Sequence, residues 1–278
     1  MVILMEKIVS TGVKGGVGKS TFAILLAFKL SKDGKRVVLC DCDVECPNDH
    51  LILNKKFEKG KKIYQNYPVL DSKKCKKCGI CSENCRENAI FWVKNKEPFF
   101  IYDLCTSCGA CWLVCPHKTI KTKRKAVGQT YINKINKNFW LFSGISKAGI
   151  AETGPIVRET KNRAIEFAKK KEADYIIFDT SPGTHCNVIQ VLLNTDKVYS
   201  VTEPTPLGSH DLDLMMKLLK RLGILGEIVL NKADVGKKEI IEKIALDFNT
   251  KIAYSIPYSE KLVKAYCEKK LERVVDLL

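Results

Sequence analysis

Short apolar runs along this chain end in carboxylates. Arg36-Val37-Val38-Leu39-Cys40 leads into Asp41-Cys42-Asp43, and Tyr175-Ile176-Ile177-Phe178 leads into Asp179. Apolar runs of this length with no polar face predict strands buried on both sides, as in a parallel sheet. Stretches with helical character lie between them, at positions 22–30 and 155–170, and strand and helix patterns then alternate at 198–202, 212–222, 227–231, 239–248 and 251–256. The first ten residues, closing on Ile8-Val9-Ser10, read as another strand. Such alternation predicts an α/β fold with a doubly wound parallel sheet. Asp41, Asp43 and Asp179 fall at strand carboxyl ends, the side on which such sheets bind ligands.

The pattern breaks between positions 72 and 125, where cysteines take over. Cys75-x2-Cys78-x2-Cys81-x3-Cys85 is followed thirty positions later by Cys105-x2-Cys108-x2-Cys111-x3-Cys115-Pro116, with Gly79 matching Gly109 and Ile90 matching Ile120. Soft thiolates at these intervals suit two 4Fe-4S clusters. Structural zinc sites instead pair C-x2-C units across a long gap. In two-cluster ferredoxins the fourth cysteine of each run serves the opposite cluster. The expected sets are therefore Cys75, Cys78, Cys81 and Cys115 for one cluster, and Cys105, Cys108, Cys111 and Cys85 for the other. Arg86 stands where the first run would have its proline, which loosens the backbone and removes no ligand. With no signal peptide and no membrane-spanning apolar stretch, the thiols are expected in a reducing cytoplasm and free of disulfides. The 278 residues fit roughly one to two domains. We expect an inserted small α+β bacterial-type ferredoxin domain at 72–125 within a nucleotide-binding domain formed by 1–71 and 126–278.

Ahead of the insert, Ile8-Val9-Ser10 runs into Thr11-Gly12-Val13-Lys14-Gly15-Gly16-Val17-Gly18-Lys19-Ser20-Thr21. Glycines let consecutive N–H groups curl around an anion while a helix starting near Ser20 points its positive end at the same place. The segment Gly15 to Thr21 would bind the phosphates of ATP, with Lys19 on the β and γ phosphates and the Ser20 hydroxyl on Mg2+. Val13 stands where the strict G-x4-G-K-S/T pattern has its first glycine.

Lys14-Gly15-Gly16-Val17-Gly18-Lys19-Ser20 resembles the deviant Walker A loop of the MinD/ParA/Mrp and nitrogenase iron-protein group. Further resemblance lies in Asp41 to Asn48, Asp179-Thr180-Ser181-Pro182-Gly183, Thr202 to Leu212, and Ile256-Pro257-Tyr258, so it covers nearly the whole chain. The chain is thus similar to MinD-superfamily P-loop ATPases carrying a ferredoxin insert. The resemblance implies that ATP binding forms a homodimer in which Lys14 reaches the partner's nucleotide. It further implies that Asp43 positions the attacking water, that Asp41 and Asp179 stand behind the metal, and that Gly183 lets a switch segment follow the γ-phosphate.

Asn231-Lys232-Ala233-Asp234 spells the guanine-reading set of GTPases, yet relatives of this group also place an asparagine here and bind adenine. Asn231 and Pro257 are assigned to the base of ATP. Cys186 lies seven residues after Asp179, the offset at which nitrogenase iron proteins hold a ligand of their bridging cluster. It is a candidate ligand with Cys46 or His185, although positions 146–151 lack the second cysteine of those proteins and no Cys-Pro-x-Cys is present. Cys40 and Cys267 read as small buried apolar residues.

The chain carries 47 Lys and Arg against 31 Asp and Glu, a net charge of +16. Lys73, Lys74, Lys76, Lys77, Lys118, Lys121, Lys123, Arg124 and Lys125 crowd the insert. They balance thiolate charge or steer an acidic redox or cluster-accepting protein. Nucleic acid is disfavoured because no reader motif or interleaved aromatics accompany the lysines. Positions 261–278 read as a helix with Leu271, Val274, Val275 and Leu278 on one face; Glu268, Glu272 and Asp276 disfavour a membrane and favour packing on the body. Two functions follow: an ATPase coupling nucleotide-gated dimer closure to electron transfer or cluster handling, or a positioning or scaffold ATPase whose clusters are structural. Low-potential centres have no use in positioning, so the first is preferred.

Overall fold

The computed structural model describes residues 5–278; positions 1–4 of the run expected to open the chain lie outside them. The first half contains β1 (Glu6–Thr11), α1 (Lys19–Lys32), β2 (Val37–Asp41), α2 (Asp49–Ile52) and β3 (Lys61–Leu70). A cysteine-rich unit follows: α3 (Ile80–Glu83), β4 (Ile90–Phe91), β5 (Phe99–Phe100) and α4 (Ala110–Leu113). The chain returns through β6 (Ile120–Lys134) and β7 (Phe139–Ser146). It continues as α5 (Gly154–Lys170), β8 (Tyr175–Asp179), α6 (Cys186–Leu192), β9 (Lys197–Thr202) and α7 (Pro206–Leu222). The last elements are β10 (Gly226–Asn231), α8 (Glu239–Asp247), β11 (Ile252–Ile256) and α9 (Glu260–Cys267).

Among the described residues nine strands form the main sheet, in the order β11-β10-β9-β1-β8-β2-β7-β6-β3, and β4 and β5 pair as a separate two-stranded sheet. From β11 to β7 every pairing is parallel. Successive residues of the inner strands serve opposite faces: Val38 and Cys40 of β2 join the core beneath α5 to α8, whereas Val37 and Leu39 join the core beneath α1. That double burial explains the unbroken apolar runs. The sheet is therefore doubly wound, as expected.

Its other edge departs from the expectation, because β6 runs antiparallel to β7 and β3 antiparallel to β6. β6 is rich in Lys and Thr, and six of its residues from Lys121 to Ala126 are exposed or half-buried; its pairing gives it a strand form that its own pattern does not announce. β6 also crosses position 125 without a break. The cysteine-rich unit thus grows from the tips of β3 and β6.

Helix α7 starts earlier than its apolar spacing suggests. Thr205 Oγ1 accepts the N–H of Gly208 at 3.0 Å and Pro206 takes the first helical position, a cap and entry that leave polar residues in the first turns. The C-terminal stretch is not one helix. α9 stops at Cys267, where Lys269 adopts φ 58 and the Lys270 N–H closes on Ala265 O at 2.8 Å. This is a Schellman ending with lysine where glycine is usual. Two 3-10 turns then bring Leu271 and Val275 onto α1, so the stretch does pack on the body. Cys267, expected to be buried, is exposed; Cys40 is fully buried. Among the described residues, no helix is long and apolar enough to cross a membrane.

Candidate nucleotide site and thiol centres

Ser10, Asp41 and Asp179 end neighbouring strands in register, so the loop after β1 and two carboxylates meet at one sheet edge. Gly18 precedes α1 with φ 102 and no side-chain cap, leaving the helix's first N–H groups to a ligand. A Cβ at Gly18 would lie 2.5 Å from Asn231 Nδ2, which donates to Val17 O at 2.9 Å. Asn231 therefore braces the phosphate loop as well as lining the cavity beside it.

That cavity, about 450 Å³, is lined by Gly15, Gly16, Gly18, Lys19, Ser20 and Thr21, and across from them by Asp43, Asn231 and Pro257. Its volume suits a small-molecule ligand. Lys19 is buried and its Nζ donates to Lys14 O at 3.1 Å. Burial lowers the Lys19 pKa, opposed by the charges of Asp179 and Asp43. Ser20 Oγ donates to Asp179 Oδ2 at 2.6 Å, while Asp179 Oδ1 is buried without a partner. Burial pushes Asp179 up to about 7 against the pull of Ser20 and Lys19. Asp41 accepts the N–H groups of Asp43, Asn48 and Asp49, so it folds the segment after β2 back over the site. Burial, then the charge of Asp179, raises its pKa well above the carboxylate range. Burial raises Asp43 as well. Lys14 is exposed, and among the described residues it forms no ion pair. Gly183, at φ 102, donates its N–H to Gly12 O at 3.4 Å, joining the segment after β8 to the phosphate loop.

Two features escaped the sequence reading. Asp49 is completely buried, with neither carboxylate oxygen bonded, and burial beside Asp41 and Asp179 raises its pKa well above the usual range. No periodic or spacing signal marks it. Glu45 Oε1 accepts from Thr153 Oγ1 at 2.6 Å and Asn187 Nδ2 at 3.3 Å, tying the segment after Asp43 to the starts of α5 and α6. Cys46 and Cys186 flank that contact and both are exposed. The His185 ring packs over Gly183. Among the described residues, no three His, Cys, Asp or Glu side chains gather tightly enough for one metal ion.

Asp49 gives a stability prediction. A carboxyl whose folded pKa is raised makes the folded state the better proton binder, so stability is retained below the unfolded pKa and is lost as pH rises towards the folded one. For Asp179 that window runs from 3.8 to about 7. Without nucleotide and Mg2+, the protein is expected to be less stable at pH 8 than at pH 5.5. Asp49→Asn flattens this profile and gains about 1–2 kcal/mol at pH 8 in denaturant melts, since one buried charge is gone. Equal pH profiles for wild type and Asp49→Asn would remove the assignment.

The thiols collect in two groups. Cys75, Cys78, Cys81 and Cys115 line one small enclosed cavity. Burial raises the Cys81 pKa, and the charges of Cys78 and Cys115 add to the rise. Burial likewise raises Cys105, with Cys108 and Cys85 adding, and pushes Cys111 up to about 12, with Cys105 and Cys108 adding. Cys115 thus lines the cavity of the first run, and Cys85 packs in the small core shared with Cys81 and Cys111, near Cys105. Gly79 and Gly109, at φ 82 and 94, open the two short helices, and Trp92 and Trp112 lie where their side chains would be.

Asp234 Oδ1 accepts the N–H of Tyr258 at 2.6 Å, and Lys232 pairs with Glu203 at 2.7 Å. The aspartate of the guanine-like set is therefore held on the chain's own backbone.

A family model for the CobQ/CobB/MinD/ParA nucleotide binding domain matches residues 8–272. An uncharacterized protein of Methanocaldococcus jannaschii is 35% identical over 259 residues, 93% of this chain and 88% of that protein. The pyruvate synthase subunit PorD of Methanothermobacter marburgensis is 41% identical over 58 residues, 21% of this chain and 67% of that protein. The structure of the septum site-determining protein MinD of Pyrococcus horikoshii complexed with Mg-ADP superposes with a TM-score of 0.58 at 16% identity, covering 99% of this chain and 94% of that one. With a glycine-rich loop closing on a buried lysine at the central strand of a parallel sheet, and a family match along almost its whole length, this chain belongs to the CobQ/CobB/MinD/ParA nucleotide-binding family.

Proposed function

We propose that the chain binds and hydrolyses ATP as a nucleotide-gated homodimer and couples this cycle to electron transfer or iron-sulfur cluster handling in a ferredoxin-like domain at 72–125. The observation that carries this reading is a backbone connection. Val44, next to Asp43, accepts the N–H of Ser146 at 2.7 Å; Ser146 pairs with Gly128 of β6, and β6 continues into the cysteine-rich unit. A shift of Asp43 on nucleotide binding thus acts on the strand that leads out of the cysteine-rich unit, five residues after Cys115.

The residues present fit the cofactors. Four thiols lining one enclosed cavity, three of them at x2 spacing with the fourth arriving from the other run, match the ligand set of a multi-atom cluster. Cys75, Cys78, Cys81 and Cys115 would hold one 4Fe-4S cluster, and Cys105, Cys108, Cys111 and Cys85 the other. When bound, such clusters supply one-electron transfer. The 58-residue similarity to a pyruvate synthase subunit is about the length of this domain.

At the nucleotide site, a water attacks the γ-phosphorus and ADP leaves. The loop from Gly15 to Thr21 binds the phosphates, and Lys19 neutralises charge on the β and γ groups. The Ser20 hydroxyl, oriented by Asp179, would hold Mg2+, which when bound would act as a Lewis acid on the phosphates. Asp43 orients the water, and Asp41 fixes the segment that carries Asp43. The deviant role of Lys14 is to complete the partner's site. Pro257 and Asn231 border the base; with Asp234 tied to Tyr258, adenine is preferred over guanine.

The test is the midpoint potential of the anaerobically purified protein, with iron and sulfide measured on the same sample. Addition of Mg-ATP is expected to move the potential by at least about 60 mV, tenfold in a one-electron equilibrium, and GTP to do so much less. An identical potential with and without Mg-ATP would leave the scaffold alternative standing.

A further inference from the structure

The β4–β5 hairpin has two unlike faces. Ile90 and Phe100 sit opposite each other and turn inward onto Cys81, Cys111 and Ile120. On the next rung Phe91 and Phe99 pair, turn outward, and remain 62% and 66% exposed; Val93 adds a third exposed apolar side chain. Among the described residues nothing covers this face.

We infer that the outer face of this hairpin docks an acidic protein. Charge argues for that occupant. Positions 72–125 hold 12 Lys and Arg against 4 Asp and Glu. Of those twelve, Lys74 alone has an ion-pair partner among the described residues, Asp71 at 3.8 Å. Pro98, adjoining Phe99, shares the wall of the first thiol cavity with Lys76 and His117, and Lys94 and Lys96 form the hairpin turn. Glu97 is the one acid of that turn. An apolar centre with an unpaired basic surround matches a partner with an apolar centre and an acidic rim. A second copy docking through this same face would set its own basic surround, 12 Lys and Arg against 4 Asp and Glu, against an identical one.

The face is small, the scale of a transient encounter steered by charge. If the cluster reading above holds, on which the partner's redox role rests, the hairpin is a single β-layer between partner and thiols, and packed sheet layers stand only about 10 Å apart.

The test uses an acidic 2Fe-2S ferredoxin as probe, fluorescently labelled, with association measured by stopped flow across ionic strength. We expect the on-rate to fall at least about tenfold from low to high salt. Phe91→Ser with Phe99→Ser should weaken binding about tenfold or more, and Lys94→Glu with Lys96→Glu should slow the on-rate and flatten its salt dependence. Leu225→Ser, at a leucine 91% exposed elsewhere, should change nothing. No binding of the probe, or equal binding by wild type and both hairpin variants, overturns the assignment. So does tighter binding to a single-stranded oligonucleotide or to phosphatidylserine vesicles than to the ferredoxin. Circular dichroism checks folding, and the charge-reversal pair serves if the apolar pair misfolds. Iron and sulfide measured on the same sample separate the ideas: their absence refutes the cluster reading, while binding alone decides the docking face.

Discussion

Lys14→Ala is expected to abolish ATP hydrolysis while leaving ATP binding to a single subunit nearly intact. The place next to the phosphates is already taken, since Lys19 is buried, folded back on Lys14 O, and flanked by Asp179 and Asp43. Lys14 itself stands exposed on the rim. Moving a population from 1:99 to 99:1 closed takes about 5.5 kcal/mol of differential binding, more than the roughly 1.5–3 kcal/mol of one hydrogen bond to a charged group. Two symmetry-related Lys14 contacts, together roughly 3–6 kcal/mol, reach that value with switch contacts at Asp179 and without Asp43. Sedimentation of a hydrolysis-blocked Asp43→Ala protein with Mg-ATP should show a dimer that ADP does not support and that Lys14→Ala removes. Lys19→Ala, the control, should lose nucleotide binding itself. A Lys14→Ala protein that still dimerises and hydrolyses ATP would end the gated-closure reading.

Exchange of the fourth cysteines gives the second large effect. Anaerobic wild-type protein should carry about eight iron and eight sulfide per chain, and Cys81→Ala should lose one cluster or destabilise both. Cys85→Ser should lose about four iron from the centre held by Cys105, Cys108 and Cys111, as the neighbourhood of Cys85 and Cys105 implies. Adding Cys108→Ser to Cys85→Ser should then cost no further iron, whereas adding Cys78→Ser should remove the rest. The opposite pattern would mean that each run serves its own cluster.

The parallel strands were legible because double burial writes itself as an unbroken apolar run, and the phosphate loop because its glycines are required by backbone geometry, as at Gly18. What stayed hidden depends on distant partners. β6 is a strand because β3 and β7 flank it, not because IKTKRKAVGQTYINK alternates. Asp49 is isolated in sequence, and its burial against Asp41 and Asp179 appears only after folding. The guanine-like set read ambiguously for the same reason: the tie from Asp234 to Tyr258 spans 24 residues. Lysine in the αL position after α9 disguised a helix end that glycine would have announced.

The order of strands bears on how the protein is made. β2 is complete at Asp41, yet its two neighbours are β7, which begins at Phe139, and β8, which begins at Tyr175. During synthesis the whole cysteine-rich unit emerges before either neighbour, so β2 waits with both edges open while every thiol of the two runs is already outside the ribosome. Contacts between distant segments form late for the entropic reason that their loops are long. The residues of the cysteine-rich unit are therefore all synthesised before the sheet that supports the phosphate site can be completed.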